Sequence, residues 1–233
     1  MKKVVVFSGA GISAESGIST FRDSNGLWEK NKIEEVATPE AFSINPKLVL
    51  DFYNERRRQI AQVKPNNAHT SLAELEPFFD VHIITQNIDD LHERGGSNNV
   101  LHLHGKITEA KGHVGNEIIQ IGYNDLELGG SDSKGRQLRP NIVWFGEDVP
   151  NYSIGIEIIQ QADIFIVIGT SLNVHPAAGM IHYAPLNCKK FAIDPKLDEN
   201  QLGNNFTLIN EPAAEALPKL VRQLINARQL DLE

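Results

Sequence analysis

Short apolar runs recur along the chain, and polar residues or glycine follow each of them. The runs are Val4–Phe7, Val81–Thr85, Ile142–Trp144, Ile164–Ile168 and Phe191–Ile193. Helical patterns or long polar segments separate them, and this alternation predicts a parallel sheet in an α/β fold. Because open parallel sheets bind ligands at the carboxyl ends of their strands, we expect the five loops after these runs to meet around one site.

Two stretches interrupt this alternation. Residues 24–75 carry helical patterns and no strand, which predicts a helical lobe or lid. Residues 106–139 are rich in glycine and polar residues, which predicts a small, loop-rich insertion. The segments left for a large domain are residues 1–23, 76–105 and 140–233. The last helix of that domain has an apolar face formed by Leu217, Leu220, Val221 and Leu224.

The composition argues against several classes of protein. The chain has 22 Lys and Arg against 30 Asp and Glu, a net charge of −8, so it is poorly supplied with the cations that nucleic-acid binding needs. No apolar stretch is long enough to span a membrane. The first strand follows Met1 so closely that a signal peptide does not fit, and we expect a soluble, cytoplasmic protein. Cys188 is the only cysteine, which excludes a multi-cysteine zinc site.

A glycine-rich loop follows the first apolar run. Gly9 and Gly11 lie where a strand turns into a helix, an arrangement that binds phosphates, and we expect them to use the positive φ that glycine allows. An ordinary strand-to-helix turn is the alternative. A dehydrogenase should continue into a second strand with an acidic end, but a polar loop, residues 23–28, follows instead. That loop could cover a bound nucleotide, with Phe21 and Arg22 near its reactive end.

Two polar clusters also follow predicted strands. Gln86, Asn87 and Asp89 present two amides and a carboxylate, which suit a ribose and a carboxamide, although one of them could simply cap a helix. His102 and His104 are two residues apart and could hold a metal, but no third ligand of suitable spacing is evident. His104 suits general-base catalysis better, because the unperturbed pKa of histidine lies near neutral pH.

Taken together, these motifs resemble those of the sirtuin family. The matching segments, in family order, are Gly9–Arg22, Gln86–Asp89, His104–Gly105, Arg139–Glu147, Gly169–Leu172 and Pro176–Ala178. The resemblance covers nearly the whole chain. It implies an NAD-dependent protein-lysine deacylase on a Rossmann-like parallel sheet with helices on both faces and a small lobe formed by two insertions.

The resemblance also implies a reaction. The carbonyl oxygen of an acylated lysine of a protein would attack C1′ of the nicotinamide ribose, and nicotinamide would leave. His104 would then act as general base on a ribose hydroxyl, so that free lysine and O-acyl-ADP-ribose form, with Asn87 and Asp89 as its catalytic partners. The implied NAD-binding residues are Gly9, Ala10, Gly11, Ser13, Phe21, Arg22, Trp28, Gln86, Asn87, Ile88, Asp89, Gly169, Thr170, Ser171, Asp194 and Ala213. The implied peptide-binding residues, which would pair with an extended substrate, are Val143, Phe145, Gly146 and Glu147.

This chain departs from the family pattern in its small lobe, and also at Ala192, where many members have an asparagine. Most sirtuins hold the small lobe together with a zinc ion on four cysteines, and residues 106–138 contain none. We therefore expect NAD as co-substrate and no zinc. The apolar residues expected to hold the lobe together instead are Ile107, Ile118, Ile119, Ile121 and Leu126.

The type of acyl group depends on a helix that Asn45 and Pro46 open. Tyr53 and Arg56 share its apolar face, and an arginine there needs a partner, either a ligand carboxylate or a neighbouring Asp or Glu. The pair, with the small Ala37 upstream, resembles the sirtuin subgroup that removes succinyl and malonyl groups, with some deacetylase activity. The other arginines of the run, Arg57 and Arg58, are expected to point elsewhere, on a solvated face.

Two other functions stay open from the sequence. NAD hydrolysis or ADP-ribosyl transfer would use the same activation of C1′ with a different acceptor. A non-catalytic module that binds NAD or ADP-ribose would need only the binding residues.

Overall fold

The computed structural model describes residues 1–19, 32–115, 117–203 and 205–230. The strands are β1 (Lys3–Ser8), β2 (Asp80–Thr85), β3 (Val100–His102), β4 (Gly105–Gly112), β5 (Ile118–Gln120), β6 (Leu138–Ile142), β7 (Ile164–Ile168), β8 (Lys189–Ile193) and β9 (Phe206–Ile209). Six of them form a parallel sheet in the order β3-β2-β1-β7-β8-β9. The other three form an antiparallel sheet in the order β5-β4-β6.

The helices surround the parallel sheet and build much of the small lobe. They are α1 (Gly11–Ala14), α2 (Ile33–Val36), α3 (Pro39–Ile44), α4 (Pro46–Gln62), α5 (Asn67–Leu75), α6 (Leu91–Arg94), α7 (Tyr152–Ile159) and α8 (Ala213–Leu230), with 3₁₀ helices at Ala177–Tyr183 and Glu199–Gln201. Helix α4 begins as predicted, because Asn45 Oδ1 accepts a hydrogen bond from Leu48 N at 3.2 Å and Pro46 is the first helical residue. No helix in the described ranges is both long enough and apolar enough to cross a membrane.

Helices cover both faces of the parallel sheet, as predicted. On one face α5 and α8 pack over β1, β2 and β7, and α8 buries its predicted apolar face. On the other face lie α7 and the 3₁₀ helix Ala177–Tyr183. Leu72 and Leu75 of α5, at the end of the segment predicted as a helical insertion, belong to the core of the sheet.

The antiparallel sheet packs against α3 and α4 to form the small lobe. Its shared core includes Phe42, Ile60, Ile107 and Leu126. Ile118 is wrong as a core residue, because 46% of it is exposed. The expected parallel strand at Ile142–Trp144 is also wrong, because β6 ends at Ile142 and pairs antiparallel with β4.

Polar side chains of α4 also hold the small lobe together, although the sequence predicted that apolar contacts would do this alone. Asn54 bonds the backbone of Leu126 in both directions, at 2.8 and 2.9 Å. Arg57 Nε donates to Ile107 O at 2.8 Å, and its Nη1 donates to Asn54 Oδ1 at 2.6 Å. Arg57 is therefore fully buried rather than solvated, whereas Arg58 is exposed and pairs with Asp125.

Three glycines let two loops of the sheet touch. A Cβ at Gly9 would lie 2.8 Å from Gly169 O, and one at Gly11 would lie 2.7 Å from the Cα of Gly169. Neither Gly9 nor Gly11 has a positive φ, so the reason for glycine there is this close approach and not the expected backbone conformation. Position 169 requires glycine for both reasons, because its φ is +61° and a Cβ there would overlap Ile12 N.

Substitution of Gly11 by alanine tests this contact. Because the new methyl group would meet the backbone of Gly169, we expect the free energy of unfolding to fall by ~2 kcal/mol and Tm by roughly 4–8 °C. The matched control is Gly179→Ala, whose Cβ would lie 4.0 Å from its nearest neighbour, Tyr152 Oη. Equal Tm values for the two variants in thermal unfolding would refute the assigned role of Gly11.

Candidate active site

The loops at the carboxyl edge of the parallel sheet are tied to one another. Gly11 N donates to Gly169 O at 2.8 Å, and Gln86 N donates to Ser8 O at 2.9 Å. Gln86 Nε2 also donates to Thr170 Oγ1 at 3.1 Å. The loops after β1, β2 and β7 therefore form one unit, at the edge where the sequence predicted a site.

A buried polar cluster lies below this edge. Ser13 Oγ donates to Asp89 Oδ2 at 3.1 Å and accepts from Asn87 Nδ2 at 3.2 Å. Leu91 N donates to Asp89 Oδ1 at 3.1 Å, but the N-cap residue of α6 is Asp90 and not Asp89. Burial raises the pKa of Asp89, while the bonds from Leu91 and Ser13 oppose that rise. Hydrogen bonds to Ser13 thus hold Asn87 and Asp89 together in one cluster.

His69 extends this cluster and was not predicted from the sequence. Its Nε2 lies 3.5 Å from Ser13 Oγ, and its Nδ1 lies 3.1 Å from Asn66 Oδ1. Burial lowers the pKa of His69 to about 4, so the ring is neutral at neutral pH. The sequence pattern that could have identified His69 is its spacing from Asn66 at the start of α5, where the two residues form a capping box.

The two histidines after β2 hold successive carbonyl groups. His102 Nδ1 lies 2.9 Å from Asn87 O, and His104 Nδ1 lies 3.0 Å from Gln86 O. A carbonyl oxygen only accepts, so both Nδ1 atoms carry hydrogen. The Nε2 atoms would remain for a metal, but His102 Nε2 lies 2.9 Å from Glu93 Oε1. Within the ranges that the structure describes, no group of three or more His, Cys, Asp or Glu is placed to hold a metal ion.

His102 also connects the site to the small lobe. Its Nε2 lies 2.9 Å from Glu93 Oε1, and Lys106 Nζ donates to the same oxygen at 2.6 Å. Burial alone would raise the pKa of Glu93, but the bond and charge of His102 and the bond from Lys106 lower it to about 2. A carboxylate on α6 therefore joins β3 of the large sheet to β4 of the small one.

His104 has the form of a general base. Because Nδ1–H donates to Gln86 O, the lone pair of the neutral ring is on Nε2. Burial lowers the pKa of His104, and the bond to Gln86 partly opposes this. The neutral, proton-accepting form is therefore favoured near pH 7.

Helix α4 places Tyr53 and Arg56 in the interior, as predicted. Arg56 is 7% exposed; its Nη2 donates to Ser19 O at 3.0 Å, while Nε and Nη1 have no partner among the described residues. Burial lowers the pKa of Arg56, and the charge of Asp89 opposes this. The alternative of a salt bridge from Arg56 to an Asp or Glu is not found within the described ranges. Tyr53 Oη accepts from Trp144 Nε1 at 3.0 Å.

The segment after β6 connects the two lobes at the surface. Val143 N donates to His104 O at 3.0 Å, and Phe145 N donates to Ala37 O at 3.0 Å. Arg139 forms two bonds to the Glu147 carboxylate, at 2.7 and 2.9 Å. The side chain of Phe145 and the backbone of Gly146 are exposed, whereas Ala37 is buried.

The other predicted NAD-binding residues lie around the same edge or outside the described ranges. Ile88 O accepts from Ile107 N at 2.8 Å, and Ser171 O accepts from Gln201 Nε2 at 3.3 Å. Asp194 Oδ1 accepts from Lys196 N at 2.8 Å, Ala213 begins α8, and Ala10 precedes α1. The residues outside the described ranges are Phe21, Arg22 and Trp28.

Known proteins match this chain over most of its length. The model of the Sir2 family matches residues 9–176. A Bacteroides thetaiotaomicron protein named NAD-dependent protein deacylase is 47% identical over 234 residues, covering 97% of this chain and 100% of that protein. A Helicobacter pylori protein of the same name is 50% identical over 225 residues, covering 97% and 98%.

Solved structures agree with the sequence comparison. The crystal structure of a Sir2 homologue in complex with NAD superposes with a TM-score of 0.88 at 37% identity, covering 97% of this chain and 91% of that one. Given the matched family model, the two relatives and this shared fold, the chain belongs to the Sir2 family, the sirtuins.

Proposed function

We propose that this sirtuin removes acidic acyl groups, succinyl and malonyl, from protein lysines, and acetyl groups more slowly. The reaction class is that of an NAD-dependent protein deacylase, an enzyme that consumes NAD. The observation that carries the acyl preference is Arg56, a buried cation whose Nε and Nη1 have no partner among the described residues. A buried charge without a partner is costly, and a bound carboxylate would relieve that cost.

The residues at the edge of the sheet suit NAD by their chemistry. Asn87 and Gln86 offer amide groups and Asp89 a carboxylate, which match the donors and acceptors of a carboxamide and a ribose. Bound NAD would supply a ribose carbon that takes the acyl oxygen as nicotinamide leaves, and one water would then release the lysine from the acyl carbon to give O-acyl-ADP-ribose. Ser13 bonds the side chains of both Asn87 and Asp89, which would hold them in place for the bound ribose.

His104 would accept the proton of a ribose hydroxyl. Its Nδ1 is held by Gln86 O, so that the Nε2 lone pair has a defined direction. The same residue bonds Val143 N through its backbone carbonyl, which connects the base to the substrate loop. His104 is thus fixed on both sides, as transfer of a proton between positioned groups requires.

The acyl group would enter between Asp89 and Tyr53. The charge of Arg56 acts on both of these groups, so the cation lies near Asp89 and near Tyr53. A carboxylate at the end of a short acyl chain could then bind Arg56 while the acyl carbonyl stays near Asn87 and Asp89. Ala37, which is small and buried, leaves room for the longer acid.

The substrate peptide would bind along the exposed segment from Val143 to Glu147. Most backbone N–H groups of this segment already donate internally, to His104 O, Ala37 O, Trp144 O and the Glu147 carboxylate. Backbone carbonyls and the N–H of the exposed Gly146 remain for an extended peptide. Such binding through the main chain would give affinity with little choice of sequence.

Product analysis tests the reaction class. Incubation with NAD and a succinyl-lysine peptide should yield nicotinamide, free lysine peptide and O-succinyl-ADP-ribose, detected by mass spectrometry. Free ADP-ribose with an intact peptide would instead indicate NAD hydrolysis, and no product would indicate a binding module.

Substitution of His104 by alanine tests the base. We expect kcat/KM for deacylation to fall ~10²–10⁴-fold with Tm nearly unchanged. In the wild type the pKa of His104 lies below 6.5, so kcat/KM should rise from pH 5 and level off by about pH 7 as the ring loses its proton. Retained turnover in the variant would remove His104 from the mechanism.

Substitution of Arg56 by methionine tests the acyl preference. Loss of a charged hydrogen bond costs ~1.5–3 kcal/mol, so the ratio of desuccinylation to deacetylation should fall about 10–150-fold. The matched control is Arg58→Met, which removes an exposed arginine of the same helix and should leave the ratio unchanged. If both variants keep the wild-type ratio, Arg56 does not bind the acyl carboxylate.

A further inference from the structure

We infer that Trp144 sets the acyl specificity of this enzyme by holding the Tyr53 hydroxyl as a hydrogen-bond donor toward the acyl carboxylate. The inference rests on the proposed function and deepens it, because it explains why the pocket would select an anion. Trp144 is a positioning residue here, since it acts through Tyr53.

The argument begins with the direction of one hydrogen bond. An indole N–H can only donate, so Tyr53 Oη is the acceptor in its 3.0 Å bond with Trp144 Nε1. The hydroxyl proton of Tyr53 must then point to a different group. No acceptor for it is found in the part of the chain that the structure describes, and Tyr53 is only 2% exposed. The hydroxyl is thereby left as a donor in a buried site.

Arg56 has the same need. Its guanidinium also donates only, and Nε and Nη1 are buried without a partner among the described residues. Among the residues that the structure describes, the open groups of Tyr53 and Arg56 are therefore donors. An ionised carboxylate accepts on both oxygens and carries no donor, so it complements the pocket, whereas the methyl end of an acetyl group satisfies none of these groups.

The indole that fixes this arrangement is itself held rigidly. The Arg139 guanidinium lies 3.3 Å from the centre of the Trp144 ring, and the Glu147 carboxylate that pairs with Arg139 also accepts from Trp144 N at 2.8 Å. The ring of Phe42 packs 5.4 Å away. Trp144 is 2% exposed and has little freedom to reorient. Its N–H therefore has a defined direction before any substrate binds.

Trp144→Phe removes the N–H and keeps an aromatic ring. We expect the ratio of kcat/KM for succinyl-lysine over acetyl-lysine peptides of the same sequence to fall about 5–10-fold, mainly through a higher KM for the succinyl peptide. Phe42→Leu is the matched control, because it loosens packing on the same indole without touching the bond to Tyr53, and it should keep the ratio. Trp144→His, which retains a ring N–H, should restore part of the ratio and serves if the phenylalanine variant does not fold.

A double-mutant cycle tests whether Trp144 acts through Tyr53. In a Tyr53→Phe background, addition of Trp144→Phe should change the ratio less than twofold, because the hydroxyl is already absent. An unchanged ratio in Trp144→Phe, an equal fall in Phe42→Leu, or independent effects in the double variant would overturn the inference. A wild-type enzyme that shows no preference for the succinyl peptide would overturn the proposed acyl specificity together with it, whereas the other results leave that specificity standing.

Discussion

The backbone of Gly9–Gly11 lies directly against the backbone of Gly169, and the whole candidate site depends on this contact. No Cβ fits between the two loops, so the ends of β1 and β7 can approach as closely as their hydrogen bond of 2.8 Å requires. That approach places Ser13 beneath the edge of the sheet, where it joins Asn87 to Asp89. A larger residue in the contact would therefore move groups that never touch it.

Buried polar groups at this site are held in fixed positions by a small number of hydrogen bonds. His102 and His104 hold the Gln86–Asn87 backbone by two successive carbonyls, and Glu93 joins His102 to Lys106 across the lobes. Arg56 differs from these, since two of its nitrogens lack partners among the described residues. The site thus combines preorganised polar groups with a buried cation that has open donors among the described residues, and such an arrangement favours recognition of an anion.

Local signals in the sequence were sufficient for much of this architecture. The apolar runs predicted β1, β2, β7 and β8, and the pair Asn45-Pro46 predicted the start of α4. Strands β3 and β9, of 3 and 4 residues, are too short to produce a periodic pattern. Trp144 is buried by stacking with Arg139 rather than by a strand. Arg57 is buried where Ile107, 50 residues away, supplies one acceptor and Asn54 of its own helix supplies another. The contact between Arg57 and Ile107 depends on the packing of the lobe and has no signal near Arg57 in the chain.

Competition between two substrates in one reaction tests the central claim, the selection of an acidic acyl group, most directly. Succinyl-lysine and acetyl-lysine peptides of one sequence, at equal concentrations, are incubated with NAD and enzyme, and the loss of each is followed by mass spectrometry. The relative rates report the ratio of the two kcat/KM values. We predict that the succinyl peptide is consumed about tenfold faster or more, a difference of ~1.4 kcal/mol or greater. Equal rates, or faster loss of the acetyl peptide, would contradict the account.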